Sequence, residues 1–231
     1  MAGRILWVVG AYLAGTIPST LLVARLRWNH GGRALVAEAR RETGELDPHI
    51  VMTKRLGPVW SALAGTTDVL KGFLFLLAAR GLGGLPPSWL AVCGVAMVLG
   101  HAFPFYAARM SGRGLAAAAG VYLALLPWEM VVAGVVILLG VAVRNSGIAT
   151  TIAILSVPFA AAWQGQPHAY VIMGAVVFVL VVARRLEGIR AVIRSGVPAG
   201  KAVLYRAALD ATATRAGPVP DRGGPAPPPA P

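Results

Sequence analysis

The chain reads WLAVCGVAMVLGHAFPFYAARMSGRG from Trp89 to Gly114, an apolar run that ends in a polar, glycine-rich segment. The segment from Gly100 onwards brings a histidine, a proline and two arginines close together. Polar, irregular backbone at a membrane boundary is costly unless it lines a site. The turn from Ser111 to Gly114 can present backbone N–H groups and a guanidinium to a phosphate. A charged loop that anchors a helix end among lipid headgroups explains the same residues, so both interpretations stay open.

The composition is that of a membrane protein with several spans. Of the 231 residues, 57% are hydrophobic and 13% are charged, against about 25% charged in soluble domains. The net charge is +12, and the excess of cations in cytoplasmic loops of membrane proteins accounts for most of it. No face that combines aromatic and basic residues predicts binding of nucleic acid. The single cysteine, Cys93, lies in an apolar run and predicts neither a disulfide nor a metal cluster.

Seven apolar runs are long enough to be candidate transmembrane segments. They cover approximately residues 5–26, 59–79, 89–106, 115–126, 128–143, 148–163 and 169–183. The fourth run is short, so five or six spans are an alternative count. The sequence therefore predicts an all-α integral membrane protein with about seven transmembrane helices.

The distribution of cations predicts the orientation of these spans. One side of the membrane receives most of the cations: the 25–57 loop, Arg109, Arg113, Arg144 and the 184–222 tail. The other side receives only Arg4 and Arg80. Because cations concentrate in cytoplasmic loops, we expect the amino end outside and the carboxyl end in the cytoplasm.

Two regions follow from this interpretation. Residues 1–197 are predicted to form a polytopic membrane domain. Residues 198–231 form a cytoplasmic tail that is first basic and then rich in glycine and proline. Such a composition is typical of disorder.

Charged residues also occur within or at the ends of the spans. Asp68 and Lys71 lie three residues apart in the second span and so share one helix face. A charge inside a span pairs with another group or lines a cavity. We favour an internal ion pair that holds neighbouring helices, and the wall of a polar site is the alternative. Glu129 falls at an outer span boundary and is predicted to be interfacial.

Three segments on the predicted cytoplasmic side, residues 43–57, 100–114 and 184–196, combine cations with glycine. Such clusters bind anionic lipid headgroups or a small phosphorylated substrate. No spacing of the Ser-His-Asp, Cys-His or metal-ligand kind is visible, and no cofactor is predicted. Any chemistry would therefore depend on positioning and charge stabilisation.

Six motifs carry a family resemblance and occur in order along residues 5–197. They read AYLAGTIP at 11–18, DVLKG at 68–72, GHAFP at 100–104, SGRG at 111–114, RNSGI at 144–148 and RRLEGIR at 184–190. In these motifs the chain resembles the bacterial acyl-phosphate:glycerol-3-phosphate acyltransferases, the PlsY family. DVLKG and GHAFP match the family pattern and are fairly specific together.

The resemblance implies an activity, a location and a set of site residues. Family members transfer a fatty acyl group from acyl phosphate to the 1-hydroxyl of glycerol-3-phosphate, give lysophosphatidic acid and form no covalent acyl-enzyme. The implied location is the bacterial plasma membrane, with seven helices and a cytoplasmic active face. The catalytic candidates are His101 and Arg113, although His101 also fits a role as a brace of the span end. The substrate-binding candidates are Thr43, Lys54, Arg55, Ser111, Gly112, Gly114 and Arg185.

The chain departs from the family pattern at presumed substrate contacts. Glu45 and Asp47 place negative charge in the first motif, where a phosphate is expected. Three further substitutions are Arg113 for Lys, Arg185 for His and Gly188 for Asn. A second hypothesis is therefore a catalytically altered or inactive member that binds anionic lipid or a partner protein. A transporter has little support because no inverted repeat is visible.

Overall fold

The computed structural model describes residues 1–27, 52–53, 56–106, 112–142 and 146–194. Within these ranges the regular structure is helical and no strand occurs. The helices of nine residues or more are α1 (Ala2–Thr16), α2 (Ser19–Arg27), α3 (Pro58–Gly81), α4 (Pro87–Ala102), α5 (Leu115–Leu125), α6 (Pro127–Ala142), α7 (Ser146–Trp163) and α8 (His168–Arg194). The prediction of an all-α fold is confirmed for these residues.

The helices differ in their capacity to cross a membrane. Pro58–Gly81 and His168–Leu186 are each long and apolar enough to do so. Ala2–Thr16 and Ser19–Leu26 meet the same test only as a pair, which is bent by 44°. The apolar helical stretches within α4–α7 are shorter, with 10–17 residues each. The count of seven spans stays a prediction.

Proline and glycine set the ends of these helices. Helices α3, α4 and α6 begin at Pro58, Pro87 and Pro127, where the missing N–H of proline costs nothing. Gly114 precedes α5 with φ +83°, a left-handed conformation that favours glycine.

Two helix pairs approach so closely that their backbones touch. Helix α1 packs on α4, and α3 packs on α5. Gly15 and Gly100 lie at the first contact, and each faces the backbone of the other helix. Gly72 and Gly120 lie at the second, where a Cβ on Gly72 would come within 2.8 Å of the Ala117 carbonyl oxygen. Small residues permit such close packing in lipid.

Glu129 has no exposed surface, so its carboxylate lies inside the bundle, and its depth at the membrane interface stays a prediction. Only Leu126 separates α5 from α6, and α6 packs along α7. The side of the first turn of α6 that carries Glu129 therefore lies inside the bundle. Trp128, the preceding residue, is 70% exposed, as suits an aromatic side chain at a membrane interface.

Candidate active site

Pro18 breaks the first apolar run into α1 and α2. Proline has no backbone N–H and drives the preceding residue out of helical conformations, and Ile17 has φ −61° and ψ 118°. The Ser19 N–H bonds to the carbonyl oxygen of Ile17 and not to that of Gly15, its helical partner. The break therefore leaves carbonyl groups that need other donors.

Side chains from outside α1 and α2 supply these donors. Lys71 Nζ lies 3.0 Å from the Gly15 carbonyl oxygen and 2.8 Å from the Ile17 carbonyl oxygen. The Tyr106 hydroxyl donates to the carbonyl oxygen of Thr16. A carbonyl without a donor in a lipid environment costs on the order of several kcal/mol. These contacts therefore make the irregular backbone tolerable inside an apolar bundle.

Asp68 is the buried counterion of Lys71. Its Oδ1 lies 2.7 Å from Lys71 Nζ and accepts a 2.7 Å hydrogen bond from the Ser19 hydroxyl. Asp68 is only 1% exposed, and a buried carboxylate is tolerated when it is paired and hydrogen-bonded. The ion pair therefore joins α3 to α2 through Ser19 and to the broken backbone through Lys71.

His101 completes this cluster from the end of α4. Its Nδ1 lies 3.1 Å from Lys71 Nζ and 3.5 Å from Asp68 Oδ1. The other edge of the ring faces Gly112, where an added Cβ would overlap His101 Nε2. The histidine thus lies between the Asp68–Lys71 ion pair and the glycine-rich turn. In the sequence, the ion pair and the turn are two separate motifs.

A small, partly open pocket lies beside the cluster. Three stretches of chain that are distant in sequence form its walls. The described residues that line it are Gly15, Thr16, Ile17, Pro18, Ser19, Thr20, Asp68, His101, Pro104, Tyr106 and Gly112. Hydroxyl, carboxylate and imidazole groups give this pocket polar surface within a largely apolar bundle.

The turn that carries Arg113 leads from this pocket into α5. Gly112 lines the pocket, Arg113 is partly buried, and Gly114 is the N-cap of the helix. The first N–H groups of a helix lack helical partners and attract anions. The turn therefore places an arginine directly before a helix N-terminus, an arrangement that suits a phosphate.

The structure tests the position of only some predicted site residues. Thr43, Lys54, Arg55 and Ser111 lie outside the described residues. His101 and Gly112 both line the pocket, whereas Arg113 and Gly114 are not among the described residues that line it. Arg185 is not among the described residues that line it, and its guanidinium donates to the Thr151 hydroxyl on α7.

Sequence reasoning did not single out three residues near the site. Ser19 bonds to Asp68, Tyr106 caps the helix break, and Arg184 lies 5.2 Å over the Phe103 ring. Ser19 follows a proline within an apolar run, and Tyr106 lies two residues after another proline. A polar side chain beside a proline in a span is the signal that could have identified both.

Residues 5–195 match the family model described as glycerol-3-phosphate acyltransferase. The chain belongs to this family. The glycerol-3-phosphate acyltransferase of Geotalea daltonii is 30% identical over 197 residues, which cover 85% of this chain and 96% of the relative. The glycerol-3-phosphate acyltransferase of Rubrobacter xylanophilus is 33% identical over 202 residues, which cover 83% of this chain and 92% of the relative. The family resemblance seen in the motifs is confirmed.

Solved structures in the same family have the same fold. A crystal structure of PlsY, described as an integral membrane glycerol 3-phosphate acyltransferase in its glycerol 3-phosphate form, matches with a TM-score of 0.68 and 28% identity. The lysophosphatidic acid form matches with a TM-score of 0.68 and 27% identity, over 83% of this chain and 92% of the solved one. The predictions of a membrane protein and of an acyltransferase are therefore confirmed.

Proposed function

We propose that the protein transfers a fatty acyl group from acyl phosphate to the 1-hydroxyl of glycerol-3-phosphate and so forms lysophosphatidic acid. The observation that carries this proposal is the pocket that His101 and Gly112 line, directly before Arg113, in a chain of the acyltransferase family. A charged, water-soluble acceptor needs polar and cationic groups. A fatty acyl donor needs the apolar helices that surround them.

The reaction calls for positioning and charge stabilisation rather than a covalent nucleophile. The 1-hydroxyl oxygen attacks the carbonyl carbon of acyl phosphate and forms the ester bond. The bond from that carbon to the phosphate oxygen breaks, phosphate leaves with the electron pair, and the hydroxyl proton is released. Arg113, with the backbone of Gly112 and Gly114, is proposed to hold a phosphate group, and His101 is proposed to contact the substrate at the same turn.

Further groups are proposed to complete the substrate-binding set. Thr43, Lys54, Arg55 and Ser111 are carried over from the family motifs. Arg185 is proposed as well, although its guanidinium would have to leave the Thr151 hydroxyl to reach the pocket. The proposed reaction uses no cofactor.

The proposed topology has seven spans, the amino end outside, and the active face at the cytoplasmic side of the bacterial plasma membrane. The asymmetric distribution of arginine and lysine supports it. His101 lies in the last turn of α4, about 20 Å from its first residue at 1.5 Å per residue. The pocket is therefore close to the membrane face at which α4 ends.

The alternative of an inactive member that binds anionic lipid or a partner protein is not favoured. Relatives that match this chain over more than nine-tenths of their length carry the acyltransferase name. No contact in the described residues speaks for the alternative over the acyltransferase.

The decisive experiment is acyl transfer by the purified protein in lipid, with palmitoyl phosphate and labelled glycerol-3-phosphate as substrates. We expect labelled lysophosphatidic acid and an equal amount of released phosphate. Protein that is folded by circular dichroism and yet forms no labelled product would contradict the proposal. Omission of palmitoyl phosphate is the matched control, because transfer must then stop.

Gly112→Ala is expected to lower kcat/KM on the order of 10- to 100-fold, since small displacements of positioned groups have effects of this size. The new Cβ would overlap the His101 ring, which Lys71 holds from its other side. Gly65→Ala on α3 is the control, because a Cβ there meets nothing within 4 Å. Equal activity of the two variants would show that the contact between ring and turn is dispensable.

A further inference from the structure

Lys71 faces more acceptors than it has N–H groups. Its Nζ lies 2.7 Å from Asp68 Oδ1, 2.8 Å from the Ile17 carbonyl oxygen, 3.0 Å from the Gly15 carbonyl oxygen and 3.1 Å from His101 Nδ1. An ammonium group has three N–H donors and no acceptor. Any group that hydrogen-bonds to Lys71 Nζ must therefore accept, and three N–H groups serve four neighbours.

This geometry decides which ring nitrogen of His101 carries the proton. A neutral imidazole has one N–H and one acceptor nitrogen. A contact of 3.1 Å between Nδ1 and an ammonium nitrogen favours Nδ1 as the acceptor, with the proton on Nε2. In the competing tautomer, His101 carries the proton on Nδ1 and donates it to Asp68 Oδ1. That contact is 3.5 Å long, and the same N–H would also face the Lys71 cation.

We propose that Lys71 is a positioning residue that holds His101 in the tautomer with the proton on Nε2 and aims this donor at the 112–114 turn. The turn lies at the opposite edge of the ring, since a Cβ on Gly112 would overlap Nε2. It presents Arg113 and begins α5. The ring edge that carries Nε2 therefore packs against Gly112.

The same ammonium group connects two walls of the pocket. It caps the backbone of Gly15 and Ile17 at the helix break and orients His101 on α4. Lys71 thus links the helix break to the His101 ring, and the opposite edge of that ring packs against Gly112. The role of Lys71 in catalysis rests on the proposed acyl transfer, whereas the tautomer of His101 does not.

The tautomer can be measured by NMR on protein labelled with ¹⁵N-histidine in detergent micelles. The chain has four histidines, and the signal that is lost in His101→Gln identifies His101. We expect a protonated Nε2 and an unprotonated Nδ1. A proton on Nδ1, or on both nitrogens, would overturn the proposal.

The double variant Asp68→Asn, Lys71→Met tests whether Lys71 is the cause. It removes both charges of the ion pair. A variant that removed only one of them would leave the other charge buried without a partner, which is strongly destabilising. We expect His101 to populate both tautomers in this variant. Persistence of a single Nε2–H tautomer would show that another group fixes the ring.

Amide substitutions at position 101 provide a readout in activity. A glutamine amide can reach the place of Nε2–H, whereas a shorter asparagine amide reaches only that of Nδ1. We expect His101→Gln to retain at least tenfold more kcat/KM for glycerol-3-phosphate than His101→Asn; equal values or the reverse order would count against the proposal. If the wild-type protein shows no acyl transfer but its His101 carries the proton on Nε2, the proposed function is refuted and this inference is not. If the protein is active but His101 carries the proton on Nδ1, this inference is refuted and the proposed function is not.

Discussion

Arg113→Ala is expected to lower kcat/KM for glycerol-3-phosphate by on the order of 10²–10³, the usual cost of removing one preorganised donor from a site where charge develops. Arg113 lies between two glycines at the start of α5, beside the pocket. Its guanidinium is proposed to form charge-assisted hydrogen bonds to phosphate, which are about twice as strong as neutral ones. The measurement is steady-state acyl transfer in lipid.

Two further variants give this prediction its controls. Arg113→Lys keeps the charge but loses the planar fork of donors, so we expect it to recover at least a tenth of wild-type activity. Arg80→Ala removes an exposed cation in the last turn of α3, and this variant should keep the wild-type kcat/KM. If Arg113→Ala matched Arg80→Ala in activity, Arg113 would have no part in phosphate binding.

Gly120→Ala is expected to destabilise the fold by about 2–3 kcal/mol, at the upper end of the usual cost of overpacking. An added Cβ would overlap the carbonyl oxygen of Val69 and come within 2.9 Å of the Phe73 nitrogen, both on the backbone of α3. Backbone atoms cannot rotate away as a side chain can, so the two helices must separate. In a thermal unfolding experiment in detergent, this corresponds to a fall in Tm of roughly 5–10 °C.

Gly134→Ala is the matched control for this effect. Gly134 lies within α6, and a Cβ there meets nothing within 4 Å. Alanine is the better helix former by up to about 1 kcal/mol, so this variant should unfold at the wild-type temperature or slightly above it. An equal fall in Tm for both variants would mean that close contact between α3 and α5 does not set stability.

The sequence predicts the helical fold well, because its information is local. Long apolar runs bounded by proline and glycine indicate helices, and Pro58, Pro87 and Pro127 are indeed the first residues of three of them. The spacing of Asp68 and Lys71 places both on one face of a helix. Family motifs then indicate the activity.

The geometry of the site depends on contacts between residues that are far apart in sequence. No local pattern shows that Lys71 reaches the Gly15 carbonyl or that the His101 ring faces Gly112. These contacts follow from the close packing of α1 on α4 and of α3 on α5, which is a tertiary property. The burial of Glu129 was missed for the same reason, since a charged residue near a span end is usually exposed.

The shortness of α4 and α5 has a consequence for the surrounding lipid. At 1.5 Å per residue, their 16 and 11 residues extend for about 24 Å and about 17 Å, whereas the hydrocarbon layer is about 30 Å thick. Such a hydrophobic mismatch is relieved when the bilayer thins around the short helices. Headgroups would then descend towards the pocket, and the phosphate end of a membrane-dissolved acyl donor would descend with them. The thickness of the host membrane thereby becomes a determinant of how readily the donor reaches the site.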